Sequence, residues 1–280
     1  MCVGPALGVY ASFVEPFAVR LETTRIPVVP ARTVIPPLRV GVLADIQTAH
    51  VTDYEHRAID MLMAERPDII LLPGDLFHGA DSTFKAELEG FRTLVAKLTA
   101  PGGVYFALGD ADTGEELAAI GAGSSLRVLV NEVQRIELGG RAITVAGVEL
   151  DSASPAALAF LRTLEDAPGD DLRLLISHKP DVALHLRQPT RLDLVVAGHT
   201  HGGQVQLPFI GPPLTLSKVP RFVGGGGFHV LDGRPIYVSR GIGHEGGQAP
   251  RVRFLCTPEV SLLILERSPV AVASPAPIAN

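Results

Sequence analysis

Five short apolar runs in this chain close in the same way: a small residue, then an acid or an imidazole. They are "LRVGVLAD" (38–45), "IILLPGD" (69–75), "GGVYFALGD" (102–110), "LRLLISH" (172–178) and "LDLVVAGH" (192–199). Apolar runs of this length, bounded by turn formers, read as buried strands. Segments of helical period lie between the first three. Residues 54–67 carry Ala58, Ile59, Leu62 and Met63 on one face and stop at Pro67, and 84–98 repeats the pattern. A βαβαβ rhythm implies parallel strands joined by right-handed crossovers.

Past Gly121 the rhythm changes. Two hairpins are expected, 134–148 around Gly139-Gly140 and 228–241 around Asp232-Gly233. Helices are expected near 155–166 and 181–188. The mixture defines an α/β fold with two packed mixed β-sheets, a β-sandwich core flanked by helices. Residues 38–267 read as one domain. Residues 1–37, with several prolines and one extended stretch, read as a lead-in, and the Pro/Ala-rich 268–280 as a loose tail.

Composition narrows the function classes. The chain is 46% hydrophobic and 19% charged, which suits a packed core. Its net charge of −6, with no basic tract, speaks against a specific nucleic-acid partner. Cys2 and Cys256 form no CxxC spacing, so no thiolate zinc site or disulfide framework is indicated. The first fourteen residues, "MCVGPALGVYASFV", are apolar and uncharged. That is short of the roughly 20 residues of a spanning helix, and the basic start of a secretory signal is missing. They read as a segment docked on the domain surface or facing a membrane, or as the remnant of a longer anchor. The expected location is cytoplasmic or membrane-peripheral.

The run endings collect Asp45, Asp75, Asp110, His178 and His199, and His201 follows in "AGHTHGGQ". One aspartate after a strand is ordinarily a turn former or helix cap. Three acids and three imidazoles gathered at strand ends would bury much unpaired charge, and cations remove that cost. Mixed carboxylate and imidazole ligands suit Mn, Fe, Zn or a similar ion. Six such groups exceed one tetrahedral zinc site and match a pair of ions that clamps a phosphoryl displacement.

The ordered set "ADIQ", "PGDL", "LGDAD", "ISHKPD" and "AGHTHGGQ" resembles the calcineurin-like metallophosphoesterase superfamily. That family runs Asp-x-His, Gly-Asp, Gly-Asn-His-Asp, a lone His and Gly-His-x-His, each at a strand end of a double-sheet sandwich. The trailing Gly-Gly-Gln, "YVSRGIG" and "RFLCTPEVSLLIL" look like a bacterial branch whose members are often membrane-associated. That branch includes enzymes that cleave UDP-2,3-diacylglucosamine. The resemblance implies that Asp75 bridges two divalent ions, that Asp45 and His201 hold the first, and that His178 and His199 hold the second. It implies hydrolysis of a phosphodiester or pyrophosphate bond by a metal-activated water, on a phosphorylated small-molecule or lipid-linked substrate.

Three positions depart from the family pattern. Gln47 stands at the place of a histidine ligand of the first ion. Its amide oxygen is harder and weaker than imidazole, which favours Mn or Mg there over Zn. Asp110 stands at the place of an asparagine ligand of the second ion and adds negative charge. Ala111 stands at the place of the histidine that assists the leaving group, help worth ~10²–10⁴-fold in rate. Asp112, which in the family orients that histidine, has nothing left to orient. His50, His78 and His244 are the candidate substitutes, His244 foremost, and Arg240 is a candidate phosphate contact. With the general acid missing, a metal-binding or phospho-ligand-binding protein without turnover stands as the alternative.

Overall fold

The computed structural model describes residues 3–29, 32, 35–245 and 251–267. Two six-stranded sheets face each other. The first is built from β1 (Arg20–Val28), β2 (Leu38–Val42), β3 (Ile69–Leu72), β4 (Val104–Phe106), β5 (Leu126–Val128) and β12 (Glu259–Arg267), in the order β1-β12-β2-β3-β4-β5. The second is built from β6 (Glu132–Leu138), β7 (Arg141–Gly147), β8 (Leu172–Ile176), β9 (Leu194–Ala197), β10 (Gly227–Leu231) and β11 (Arg234–Val238), in the order β10-β11-β9-β8-β7-β6. Strands β2 to β5 run parallel, as do β7, β8, β9 and β11. Each sheet also holds an antiparallel neighbour, so both are mixed as the sequence implies. The two expected hairpins are β6–β7 and β10–β11.

Alternation along the strands divides the apolar residues into layers. Val40, Val42, Ile69, Leu71, Ile143, Val145, Leu174 and Val196 belong to one buried cluster shared by both sheets. The outer face of the first sheet is covered by α2 (Asp53–Ala64) and α3 (Asp81–Ala96), through Ile59, Leu62, Phe91 and Leu94 against Ile70 and Leu72. A capping box starts α2: the Thr52 side chain meets backbone at the first turn while Glu55 reaches back to the Thr52 N–H. The second sheet carries α4 (Pro155–Asp166), packed by Leu161 and Leu164 on Leu175 and Val195. Where a helix was expected near 181–188, the chain forms a 3-10 turn, Pro180–His185. The turn stops where Leu186 turns extended, at φ −80° and ψ 158°, short of Pro189.

The extended stretch of the lead-in is β1, which pairs in parallel with β12 over nine residues, Arg20 against Glu259 through Val28 against Arg267. Ahead of it, α1 (Val3–Phe13) buries Ala11 and leaves Leu7, Val9, Tyr10 and Phe13 exposed. Buried Glu15 accepts from the N–H groups of Leu255 and Cys256, and Ala11 O accepts from Arg253 N. Among the described residues no helix is long and apolar enough to cross a membrane. The expected tail at 268–280 lies outside the described residues, as does Cys2.

Candidate metal centre

Parallel strands deliver their C-terminal ends to one edge of each sheet, where ligand crevices of open α/β sheets lie. Here the edges of both sheets meet. Residues following β2, β3 and β4 supply Asp45, Gln47, Asp75 and Asp110, and those following β8 and β9 supply His178, His199 and His201. Five of these seven, Asp45, Gln47, Asp75, His199 and His201, hold positive φ between 43° and 69°. Such conformations cost about 1–3 kcal/mol each and gather where function demands them. Two glycines make the close approach possible. A Cβ at Gly198 would lie 2.7 Å from Asp45 Oδ2, and one at Gly109 would collide with Asp75 Oδ1.

Neighbouring loops stitch the carboxylates in place. Asp45 is fully buried and its oxygens accept from His199 N at 3.0 and 3.1 Å. Asp75 Oδ1 accepts from Ala111 N at 2.8 Å. Asp112, expected to be idle, accepts three backbone N–H groups: Asp75 N and Gly109 N at 2.8 Å and Leu76 N at 2.9 Å. It therefore joins the loop that presents Asp75 to the loop that presents Asp110. Burial raises its pKa to about 6.

Two ligand groups lie within metal reach, their atoms within 4.8 Å of one another: Asp110, His178 and His199, and Asp45, Asp75 and His178. The imidazole orientations decide what fits between them. His178 Nδ1 sits 2.8 Å from Pro73 O, and His199 Nε2 sits 3.2 Å from Leu216 O. A carbonyl only accepts, so both of these nitrogens carry hydrogens. The other two nitrogens, His178 Nε2 and His199 Nδ1, then face each other at 3.2 Å. Asp110 Oδ2 lies 3.3 Å from the first and 3.0 Å from the second, and Asp75 Oδ2 lies 3.6 Å from His178 Nε2. Opposed lone pairs beside two carboxylates require a proton or a cation between them. A ligating histidine fixed by a carbonyl on its far nitrogen is the usual outer arrangement of a metal site. The donor set fits divalent ions.

The other half of the set gives a second sign. Gln47 Oε1 and His201 Nδ1 are buried and have no hydrogen-bond partner in the protein. Both belong to residues that the resemblance assigns to the first ion. Of the carboxylates and imidazoles assigned to the first ion, Asp45 and Asp75 fall in a close group and His201 does not.

Ionisation follows from this crowding. Burial pushes Asp45 up to about 7. Burial disfavours charge on His178, yet the nearby Asp110, Asp75 and Asp45 outweigh it and raise the imidazole to about 9. Asp110 is held well below the usual carboxylate range, since bonds from His178, His199 and Lys179 overcome its partial burial. His201 is pushed well down by burial and then by Arg253. In the metal-free protein Asp45 and His178 both have folded pKa values above their unfolded ones, 3.8 and 6.5. Each therefore contributes stability that is complete below its unfolded pKa and is lost as pH rises through its folded value. From pH 6.5 to 9 the metal-stripped protein is expected to lose several degrees of Tm, while the metal-loaded protein holds steady. Calorimetric scans across that window check it, and a flat metal-free profile would contradict it.

The candidate substitutes for Ala111 fare differently. His50 is exposed and paired with Glu87 at 2.9 Å. His78 Nδ1 lies 3.4 Å from Gln47 Nε2. A cleft of about 200 Å³ is lined by Gln47, His50, His78, His244 and Arg251, so His244 does reach the mouth of the site. Burial, then Arg253 and Arg251, push its pKa down, so it is neutral at pH 7. Arg240, the candidate phosphate contact, is instead paired with buried Glu259. Two residues had no sequence signal. Arg253 is fully buried and donates to the carbonyls of Arg240, Gly241 and Gly243, and Gly243 N in turn bonds Asp45 O. Lys179 places its Nζ 2.7 Å from Asp110 Oδ1.

A model of the calcineurin-like phosphoesterase family matches residues 38–203, more than half of the chain. The chain belongs to that family, a family of phosphoester hydrolases that use divalent metals. Among its relatives is a metallophosphoesterase of Bacillus subtilis, YkuE, 30% identical over 92% of this chain and 89% of that one. The phosphodiesterase YaeI of Escherichia coli is 28% identical over 82% of each. LpxG of Chlamydia trachomatis, a UDP-2,3-diacylglucosamine pyrophosphatase, is 34% identical over 32% of this chain and 28% of its own length. In fold, the chain is similar to the NAD nucleotidase NadN of Haemophilus influenzae, with a TM-score of 0.50 and 15% identity. That likeness covers 74% of this chain and 45% of NadN.

Proposed function

We propose that this chain hydrolyses a phosphodiester or pyrophosphate bond with two divalent ions, manganese favoured. Asp45, Gln47, Asp75 and His201 would hold the first ion, and Asp75, Asp110, His178 and His199 the second. Bound there, the ions would supply Lewis acidity toward the phosphoryl group and lower the pKa of water. The observation that carries the reading is the pair of imidazole nitrogens, His178 Nε2 and His199 Nδ1, that face each other at 3.2 Å beside Asp75 and Asp110.

The chain's own residues set the rest. Carbonyls at Pro73 and Leu216 fix both imidazoles before substrate arrives. One cleft opens beside Gln47 and another beside His199, which gives room on two sides of a central phosphorus and favours a diester over a monoester. Ala111 offers no proton donor, and neutral His244 is the imidazole available at the mouth. Good leaving groups are therefore the favoured substrates. The missing donor also sustains a second reading, a metal- and phospho-ligand-binding protein without turnover. Metal-stripped protein resupplied with Mn, Mg, Fe or Zn is expected to hydrolyse bis-p-nitrophenyl phosphate. Metal uptake without turnover with any ion would leave the second reading.

We also assign the apolar rim to an anionic bilayer surface. Leu207, Phe209, Ile210, Leu214 and Phe222 are exposed in a stretch, 205–226, that carries Lys218 and Arg221 and no acid. A strap through Phe254 and Arg253 links this stretch to α1. An anionic surface meets attraction there despite the net charge of −6. The protein is expected to sediment with phosphatidylglycerol vesicles, less so after F209S and I210S together. Equal recovery of both proteins in the supernatant would refute this placement.

A further inference from the structure

The cleft beside His199 is the larger of the two, about 450 Å³, and its lining includes Lys179, Lys218, His185, Asp151 and Asp181. It begins at the ligand cluster itself. Asp110 Oδ2 faces both imidazoles, and Asp110 Oδ1 holds Lys179 Nζ at 2.7 Å. An ammonium thus stands one carboxylate away from the candidate ions. Lys218 lines the same cleft two residues after Leu216, whose carbonyl fixes His199.

Each acid of the lining holds a loop through one carboxylate oxygen. Asp181 Oδ1 accepts from Lys218 N at 2.9 Å and from the Ser217 hydroxyl, so it anchors this loop. Asp151 Oδ1 accepts from Ala153 N at 3.1 Å. Among the described residues the Lys218 ammonium enters no ion pair, whereas Lys179 balances Asp110. A cleft that leads away from a phosphoryl-handling cluster thus offers an anion the Lys218 ammonium, with Lys179 shared with Asp110. A compact ammonium serves as a point charge that does not demand one planar partner.

We propose that this cleft is a subsite for a second anionic group of the substrate, a phosphate or a carboxylate, held between Lys179 and Lys218 on the arm beyond the reacting phosphorus. The proposal rests on the hydrolase reading for its orientation but is tested by binding. Inorganic pyrophosphate, phosphonoacetate and inorganic phosphate are titrated calorimetrically into the manganese-loaded full chain. Pyrophosphate spans both positions, phosphonoacetate offers a carboxylate at the second, and phosphate reaches only the first.

Lys218→Met is expected to weaken pyrophosphate about tenfold, the worth of one charge-assisted contact, and to leave phosphate within about twofold. Lys218→Arg keeps most of the affinity, and Lys179→Met weakens pyrophosphate as well. Loss of phosphonoacetate affinity in step with pyrophosphate marks a site that takes either anion, and loss of pyrophosphate alone marks a phosphate site. A Lys218→Met protein with unchanged Tm that binds pyrophosphate as the unaltered chain does overturns the proposal. That result would leave hydrolysis of bis-p-nitrophenyl phosphate untouched. A chain that shows the Lys218 effect yet turns over no ester would keep the subsite and lose the hydrolase reading.

Discussion

Asp75→Ala is expected to cut metal-dependent hydrolysis of bis-p-nitrophenyl phosphate by at least ~10³-fold, the scale on which removal of a charge-stabilising group acts at the reacting centre. The residue is 3% exposed, and it is the only candidate ligand assigned to both ions. Its Oδ1 also holds Ala111 N, so the substitution frees the 109–112 loop as well. Asp75→Asn separates the two effects. The amide oxygen still accepts from Ala111 N, the fold is kept, and one negative charge is gone between the ions. Melting curves should then match the unaltered protein while turnover falls and metal uptake weakens. Turnover retained within tenfold in Asp75→Asn would remove the bridging role.

Asp112→Ala is expected to be the most destabilising single change near the site. It strips the acceptor from three N–H groups, those of Asp75, Leu76 and Gly109. Unsatisfied buried donors cost about 1–3 kcal/mol each, and partial entry of water brings the sum to about 3 kcal/mol. For a chain of this size that lowers Tm by roughly 6–12 °C. Asp112→Asn keeps one acceptor oxygen and should recover about half of the loss. The same substitutions should weaken metal binding, because the two joined loops carry Asp75 and Asp110. A Tm for Asp112→Ala within two degrees of the unaltered chain would contradict the clamp. The three N–H groups it holds thereby give this aspartate a structural role of its own.

Much of this architecture was legible because its signals are local. An apolar run that ends in Gly-Asp announces both a buried strand and the acid at its tip, and the five such runs are β2, β3, β4, β8 and β9. What stayed hidden depends on partners far along the chain. The pairing of β1 with β12 joins residues about 240 apart, and nothing in "RLETTRIPV" points to "EVSLLILER". Strand β5, Leu126–Val128, has an arginine at its centre and no acid or imidazole at its tip, so neither signal marks it. Lys179 reads as a surface lysine after a histidine, and only the meeting of two sheets sets it against Asp110. Arg253 is likewise silent, since a fully buried guanidinium is recognised by the carbonyls around it.

The way the two sheets share the site has a consequence for how the molecule is made. Every candidate carboxylate ligand, with Gln47, precedes residue 113, and every candidate imidazole ligand follows residue 177. A chain growing from its N-terminus therefore exposes the acids long before any histidine exists to complete a set. Neither candidate set is complete until β8 and β9 have been synthesised, and the first sheet itself waits for β12, which lies between β1 and β2 and is made last of all the strands.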